Sequence, residues 1–76
     1  MATTLTIPQL EMGMTEGILA EWSVEDGAQV NEGDVIYVLE TGKAAQDIVS
    51  PASGTLRQIG LPGTEYPVGT LVGEIA

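Results

Sequence analysis

The chain has 76 residues, a length that predicts one small domain spanning residues 1–76. It contains neither cysteine nor histidine, which excludes disulfides, a thiolate nucleophile and the commonest metal ligand and general base. Eleven acidic residues against two basic ones give a formal net charge of −9, which argues against binding to nucleic acid or anionic membranes and favours a basic protein partner.

The predicted elements are strands, because ten glycines and four prolines interrupt almost every stretch long enough for a helix. In chain order, the predicted strands are residues 5–7, 16–24, 35–39, 44–49, 55–59 and 71–75, with shorter pieces at 29–30 and 65–66. The second strand is expected to place Ile18, Ala20 and Trp22 on one face, and the third, which is continuously apolar, to be buried on both sides. The predicted core consists of Val24, Val30, Val35, Leu39, Ile48, Leu56 and Leu71. Short strands punctuated by glycine and proline predict an all-β sandwich or barrel.

An internal repeat divides the chain into two similar halves. Gly17–Leu19 resembles Gly54–Leu56, and Gly27–Ile36 resembles Gly63–Val72. In the longer segment, both copies have a glycine, an apolar residue three positions later, a second glycine and then a strand. The repeat predicts a quasi-symmetric fold in which each half contributes strands to two small sheets. Chance similarity between two glycine-rich β segments is the alternative.

Lys43 is the only lysine in the chain, and it lies between two predicted strands. Gly42 and Lys43 are predicted to form a two-residue hairpin loop, with glycine first, as a type II′ turn prefers. This places the one primary amine side chain at the tip of a protruding hairpin, near the junction of the two halves. Such a position suits a lysine that another enzyme modifies, although exposed turn lysines are also common in proteins without any such role.

No candidate active site is found in the chain. The composition excludes Ser-His-Asp and Cys-His sets, and the acidic residues have no distinctive spacing for paired-carboxylate catalysis. No glycine-rich loop follows a strand and opens a helix, and the acidic residues between positions 25 and 34 lack the pattern of a calcium-binding loop. We therefore expect a non-catalytic domain without a metal site.

Two regions of the chain match a known sequence pattern. Residues 33–44, ending in Glu-Thr-Gly-Lys-Ala, and the Ser-Pro-Ala-Ser-Gly turn at 50–54 resemble the hairpin of the lipoyl domain of the 2-oxo-acid dehydrogenase acyltransferases, which carries Glu-Thr-Asp-Lys-Ala. Residues 8–22, with Met-Thr-Glu-Gly at 14–17 followed by Trp22, are similar to its opening segment. The resemblance covers essentially the whole chain. It implies a flattened β-barrel or sandwich of two four-stranded antiparallel sheets with quasi-twofold symmetry and a lysine at a hairpin tip.

The resemblance also implies a function as a lipoyl carrier. Lys43 would carry lipoate in amide linkage, attached by a lipoate ligase or lipoyl transferase. The swinging arm would shuttle acyl groups and electrons between the active sites of a 2-oxo-acid or acetoin dehydrogenase complex. Its partners there would be a thiamine-dependent decarboxylase, an acyltransferase core and dihydrolipoyl dehydrogenase. The chain would then be a non-catalytic part of a dihydrolipoyl acyltransferase, in which the cofactor supplies the chemistry and the protein presents it.

The same resemblance assigns roles around Lys43. Its hairpin context would be Glu40, Thr41, Gly42 and Ala44. The loop from Gln9 to Thr15 is expected close to the hairpin, with Met12, Met14 and Glu16 available for partner recognition. The two methionines would either form an adaptable apolar patch beside the arm or plug the edge of the barrel.

Gly42 is the departure from the family pattern, which has aspartate directly before the lysine. We expect this change to affect recognition by partner enzymes more than attachment of the cofactor. Two alternatives follow from the residues on either side of the lysine. Sister biotinyl domains have methionines on both sides of their lysine, where this chain has Gly42 and Ala44, so a biotinyl carrier is the weaker interpretation. An unmodified interaction module on the same fold is the other alternative.

Localisation is predicted from the absence of targeting patterns. No apolar run approaches the roughly 20 residues that a membrane helix needs, and residues 1–4 lack the pattern of a secretion signal. We expect a cytoplasmic protein, or one of the mitochondrial matrix if the chain belongs to a larger eukaryotic protein. The isolated domain is expected to be a monomer that contacts neither nucleic acid nor membranes.

Overall fold

The computed structural model of the protein describes residues 2–10, 12–42 and 44–76. Within these ranges the chain forms eight strands, β1 (Thr3–Thr6), β2 (Glu16–Trp22), β3 (Gln29–Val30), β4 (Val35–Glu40), β5 (Ala45–Val49), β6 (Gly54–Gln58), β7 (Thr64–Pro67) and β8 (Leu71–Ile75). They match the predicted strands to within one or two residues at most ends. The described residues contain no helix with the length and apolar character needed to cross a membrane.

The eight strands form two four-stranded sheets. One sheet has the order β1-β8-β6-β3 and the other β5-β4-β2-β7, and all of their neighbouring strands are antiparallel. The two sheets enclose one core of buried side chains. The predicted all-β flattened barrel of two antiparallel sheets is therefore confirmed.

The strand order confirms the predicted quasi-twofold relation between the halves. Replacing β1–β4 by β5–β8, and the reverse, converts the order of one sheet into that of the other. Gly27 and Gly63 occupy equivalent turns with φ angles of 86° and 81°. Their N–H groups donate to the carbonyls of the equivalent residues Leu56 and Leu19, at 2.7 and 2.6 Å. The repeat is therefore structural, because equivalent glycines adopt the same left-handed conformation and make the same contact.

The predicted core is correct at its centre and wrong at two strand ends. The buried cluster consists of Leu5, Ile7, Met14, Leu19, Val30, Ile36, Tyr37, Leu39, Leu56, Val72 and Ile75. Of the seven predicted residues, Val30, Leu39 and Leu56 belong to this cluster, and Val24 and Ile48 pack against it half-buried. Val35 and Leu71 are instead 38% and 43% exposed.

These two errors have one cause. Val35 and Leu71 are the first residues of the equivalent strands β4 and β8, directly after a turn. Each is directed outward, and the following residue, Ile36 or Val72, is fully buried instead. The predicted strand 35–39 was expected to be buried on both sides, and this expectation fails at Val35. Apolar character alone does not specify which face of a strand is buried.

The predicted face of β2 is also corrected. Leu19 rather than Ile18 is buried, and the pairing of β2 with β4 shifts between Leu19 and Glu21. The extra residue is Ala20, which forms a bulge and rotates the end of the strand by one position. The core-facing series is therefore Gly17, Leu19 and Trp22 instead of Ile18, Ala20 and Trp22.

An aromatic pair breaks the symmetry of the core. The rings of Trp22 and Tyr37 meet edge to face with centroids 5.4 Å apart, and the Trp22 indole N–H donates to the Gly60 carbonyl at 3.0 Å. The residue equivalent to Tyr37 in the second half is Gly73. A Cβ atom there would lie 2.7 Å from the Arg57 carbonyl oxygen and 3.2 Å from the Trp22 ring. The second half therefore has glycine at a position where the Arg57 backbone and the Trp22 ring leave no room for a side chain.

Candidate functional site

The candidate site is the connection between β4 and β5, which contains the single lysine of the chain. Glu40 and Ala45 form the last regular pair of this antiparallel hairpin. The Thr41 N–H then donates to the Ala44 carbonyl at 2.8 Å, which closes the connection across residues 42 and 43. This bond brings together the two ends of the predicted two-residue loop. Lys43 itself, and with it the predicted position of its side chain at the tip, lies outside the described residues.

Gly42 does not adopt the conformation that the sequence predicts. A type II′ turn requires a positive φ at its first loop residue, and the φ of Gly42 lies outside the left-handed range. The predicted II′ turn is therefore wrong. A Cβ atom at Gly42 would meet nothing within 4 Å. Glycine is thus required here neither by the backbone φ nor by space, and the aspartate of the lipoyl family would fit.

The Thr41 side chain makes further contacts across the connection. Its hydroxyl donates to the Ala44 carbonyl at 3.2 Å and accepts from the Ala44 N–H at 3.4 Å. Together with the backbone bond, these contacts join both ends of the loop. The segment on either side of Lys43 is therefore held by Thr41 and Ala44, while Gly42 between them is exposed.

A cleft of about 350 Å³ lies directly beside this hairpin. Its walls are Gly13, Met14, Thr15, Glu16, Gly17, Ile18, Glu40, Thr41, Gly42 and Glu65. The segment before β2 therefore does lie next to the hairpin, as expected for the loop from Gln9 to Thr15. The contact follows from the pairing of β2 with both β4 and β7, which no local sequence pattern reveals.

Three exposed carboxylates, Glu16, Glu40 and Glu65, line the cleft. Ile18 pairs with Glu40 on one strand and with Glu65 on the other, so Glu40, Ile18 and Glu65 form one row across the sheet. No basic residue is among the described residues that line the cleft. The described part of the cleft therefore carries three negative charges. Glu16 and Glu40 were candidates from the sequence, whereas Glu65 was missed because only the strand register brings it here.

The two methionines have different environments. Met14 is 8% exposed and belongs to the core, and its sulfur accepts a hydrogen bond from the Leu10 N–H at 3.4 Å. Met12 is fully exposed. The patch that both would form beside the arm is therefore not present, and Met14 plugs the barrel edge, the other alternative. A part in partner recognition stays a prediction for Met12, Met14 and Glu16.

Comparison with known proteins places the chain in a family. The family model described as "Biotin-requiring enzyme" (Biotin_lipoyl) matches residues 3–75, nearly the whole chain. The chain belongs to this biotinyl/lipoyl family. The match spans all eight strands and the 41–44 connection, so the resemblance found in the hairpin and in the opening segment extends to the entire fold.

The curated proteins similar to this chain are components of larger enzyme systems. The chain is 37% identical over 73 residues to the dihydrolipoyllysine-residue acetyltransferase component of the acetoin cleaving system of Pseudomonas putida, covering 95% of this chain and 20% of that protein. It is 40% identical over 78 residues to the dihydrolipoyllysine-residue acetyltransferase component of the pyruvate dehydrogenase complex of Rhizobium meliloti, covering 100% of this chain and 17% of that protein. The pyruvate dehydrogenase complex protein X component of Chaetomium thermophilum is 36% identical over 77 residues, covering 99% of this chain and 17% of that protein. The chain thus spans about a fifth of the length of the curated relatives it matches.

Proposed function

We propose that the chain is a lipoyl carrier domain and that Lys43 is covalently lipoylated by a lipoate ligase or lipoyl transferase. The observation that carries the proposal is the closed 41–44 connection around the only lysine, in a chain of the biotinyl/lipoyl family. The relatives whose names refer to a dihydrolipoyllysine residue support lipoate over other groups.

The residues around the connection fit a lysine-linked arm. Gly42 and Ala44 on either side of Lys43 are exposed, and space is open above Gly42. The lipoyl group would supply the thiol chemistry that carries acyl groups and electrons. Thr41 and Ala44 would hold the attachment segment in place, and the rigid β4–β5 pair beneath it would give the arm a fixed base.

The proposed partners are those of a 2-oxo-acid or acetoin dehydrogenase complex. A thiamine-dependent decarboxylase, an acyltransferase core and dihydrolipoyl dehydrogenase would each act in turn on the same arm. The carboxylates of Glu16, Glu40 and Glu65 beside the hairpin favour partners with a basic surface around their active-site entrance. The domain itself takes no catalytic part in this proposal, and we place it in the cytoplasm or the mitochondrial matrix.

Intact-mass analysis tests the proposal. Co-expression with a lipoate ligase should add the mass of one lipoyl group to the protein, because Lys43 is the only side-chain amine. Lys43→Ala should abolish the added mass while the protein still unfolds cooperatively on heating. A wild-type protein that stays unmodified under these conditions would contradict the proposal.

A biotinyl carrier is the second candidate, since the description of the matching family names biotin. Gly42 and Ala44 stand where biotinyl domains have methionines, which favours lipoate. Co-expression with a biotin ligase followed by streptavidin blotting separates the two, and we expect no signal. An unmodified interaction module would give neither modification, including in protein isolated from its native host.

A further inference from the structure

We propose that the Thr41 hydroxyl is a positioning group for the modification of Lys43. In this inference, which rests on the proposed function, the hydroxyl holds the 41–44 connection closed and so presents the lysine to the modifying enzyme in one loop conformation. Thr41 would not touch the reacting atoms. It would act through the backbone of Ala44, on the far side of the lysine.

The contacts of Thr41 support this role. Beyond the backbone bond at 2.8 Å, its hydroxyl donates to the Ala44 carbonyl at 3.2 Å and accepts from the Ala44 N–H at 3.4 Å. These side-chain contacts are long for hydrogen bonds, so each alone is weak. Their value is that one hydroxyl contacts both polar groups of Ala44, where regular pairing has already ended at Glu40 and Ala45.

The glycine at position 42 explains why the Thr41 hydroxyl contacts are needed to keep the connection closed. Its φ is not one that only glycine adopts, and no neighbour occupies the space above it. Glycine at such a position adds backbone freedom to the open state of the loop without being required by the closed state. The closed loop therefore loses more conformational entropy than it would with alanine or aspartate at position 42. The Thr41 hydroxyl contacts offset part of that loss.

The rate of modification depends on the fraction of molecules in which the 41–44 connection is closed. A ligase that binds only the closed loop has its apparent affinity reduced in proportion to the fraction of molecules in that conformation. Loss of the hydroxyl should therefore raise KM for the protein substrate and leave kcat nearly unchanged. A general loss of folding would instead lower the thermal unfolding temperature as well.

Steady-state lipoylation of the whole protein by a lipoate ligase, followed by intact mass, provides the test. Thr41→Val, which keeps the shape and removes the hydroxyl, should lower kcat/KM by about threefold to tenfold, as expected for the loss of a net hydrogen-bond contribution. Thr41→Ser should retain kcat/KM within about twofold of wild type, because the hydroxyl remains. Thr4→Val is the control for the loss of a threonine hydroxyl elsewhere, since Thr4 is an exposed residue of β1 in the other sheet.

A double-mutant cycle tests the link to Gly42. In the Gly42→Ala background the loop is less free, so Thr41→Val should lower kcat/KM by a smaller factor than in wild type. Equal KM values for wild type and Thr41→Val would overturn the inference while leaving the proposed function intact. A failure of Thr41→Ser to retain activity, or an equal loss with Thr4→Val, would also overturn it. A wild-type protein that the ligase does not modify at all would overturn the proposed function, and this inference with it.

Discussion

Tyr37 combines full burial with an unsatisfied polar group. Its side chain is 1% exposed, and its hydroxyl has no hydrogen-bond partner among the described residues. Burial disfavours the charged phenolate and raises the pKa of Tyr37 from 10.0 to about 12. The hydroxyl is therefore a cost to the fold at neutral pH, while the ring contributes apolar packing against Trp22.

Tyr37→Phe should consequently be neutral or slightly stabilising at pH 7. The unfolded chain ionises Tyr37 at lower pH than the folded state does, so the unfolding free energy is unaffected by this titration below pH 10 and falls as pH rises from 10 towards 12. At pH 11 the wild type should have lost about 1 kcal/mol through this group. Urea unfolding of both proteins at pH 7 and pH 11 measures the difference. A loss of the same size in Tyr37→Phe would contradict the assignment.

The two equivalent strands β4 and β8 differ at the position where Tyr37 corresponds to Gly73. The Trp22 ring lies against the backbone at Gly73, and the nearest atom to an added Cβ is the carbonyl oxygen of Arg57. Close packing of this kind leaves no room for relaxation by a flexible side chain. The quasi-twofold relation therefore holds for the strand order and turns but is broken in the core by side-chain volume.

Gly73→Ala should destabilise the protein by about 1–3 kcal/mol, in the range seen for overpacked interiors. Gly42→Ala is the matched control, because an added Cβ there meets nothing within 4 Å and the φ of Gly42 is not left-handed. That substitution should leave stability unchanged or raise it slightly, since alanine restricts the unfolded chain. Urea denaturation of the two variants compares them directly. Similar unfolding free energies for both would show that the close approach at Gly73 is easily relieved.

At the scale of the whole molecule, negative charges greatly outnumber positive ones. The chain has a formal net charge of −9, and the ion pair found among the described residues, Arg57 with Glu74 at 3.2 Å, lies on the first sheet. Among the described residues, the carboxylates around the cleft on the second sheet have no such partner. Self-repulsion of this kind keeps a protein soluble but destabilises its compact state. Lipoylation of Lys43 would remove one of the two positive charges and increase the imbalance.

The thermal unfolding temperature should therefore rise by a few degrees between low and moderately high sodium chloride. Salt screens repulsion between exposed carboxylates, with a Debye length that falls to about 10 Å at 0.1 M. Potassium chloride should act equally, and the lipoylated protein should show a larger rise than the unmodified one. Scanning calorimetry or circular dichroism at several ionic strengths measures the effect. An unfolding temperature that does not change with salt would contradict this account.

Local sequence patterns were sufficient to predict the strands, and the composition was sufficient to exclude cysteine and histidine chemistry. Alternating and apolar runs placed all eight strands, and the glycine repeat anticipated the two related halves. The composition excluded cysteine and histidine chemistry outright, because no fold supplies a missing side chain. The single lysine between two predicted strands was the only side-chain amine of the chain, and the residues around it resembled the lipoyl hairpin of the family to which the chain belongs.

Which residues face each other needed the folded molecule. Leu19 rather than Ile18 faces the core, and the bulge at Ala20 turns Trp22 to the same side. Glu65 reaches the hairpin only through the register of β7 on β2. The sequence likewise did not predict that the first residues of β4 and β8 are exposed, that Met14 is buried or that the φ of Gly42 is not positive. Strand identity depends on short-range preference, which a sequence displays directly. Face, register and loop conformation depend on pairing between distant segments, and these are established only when the two sheets close around one core.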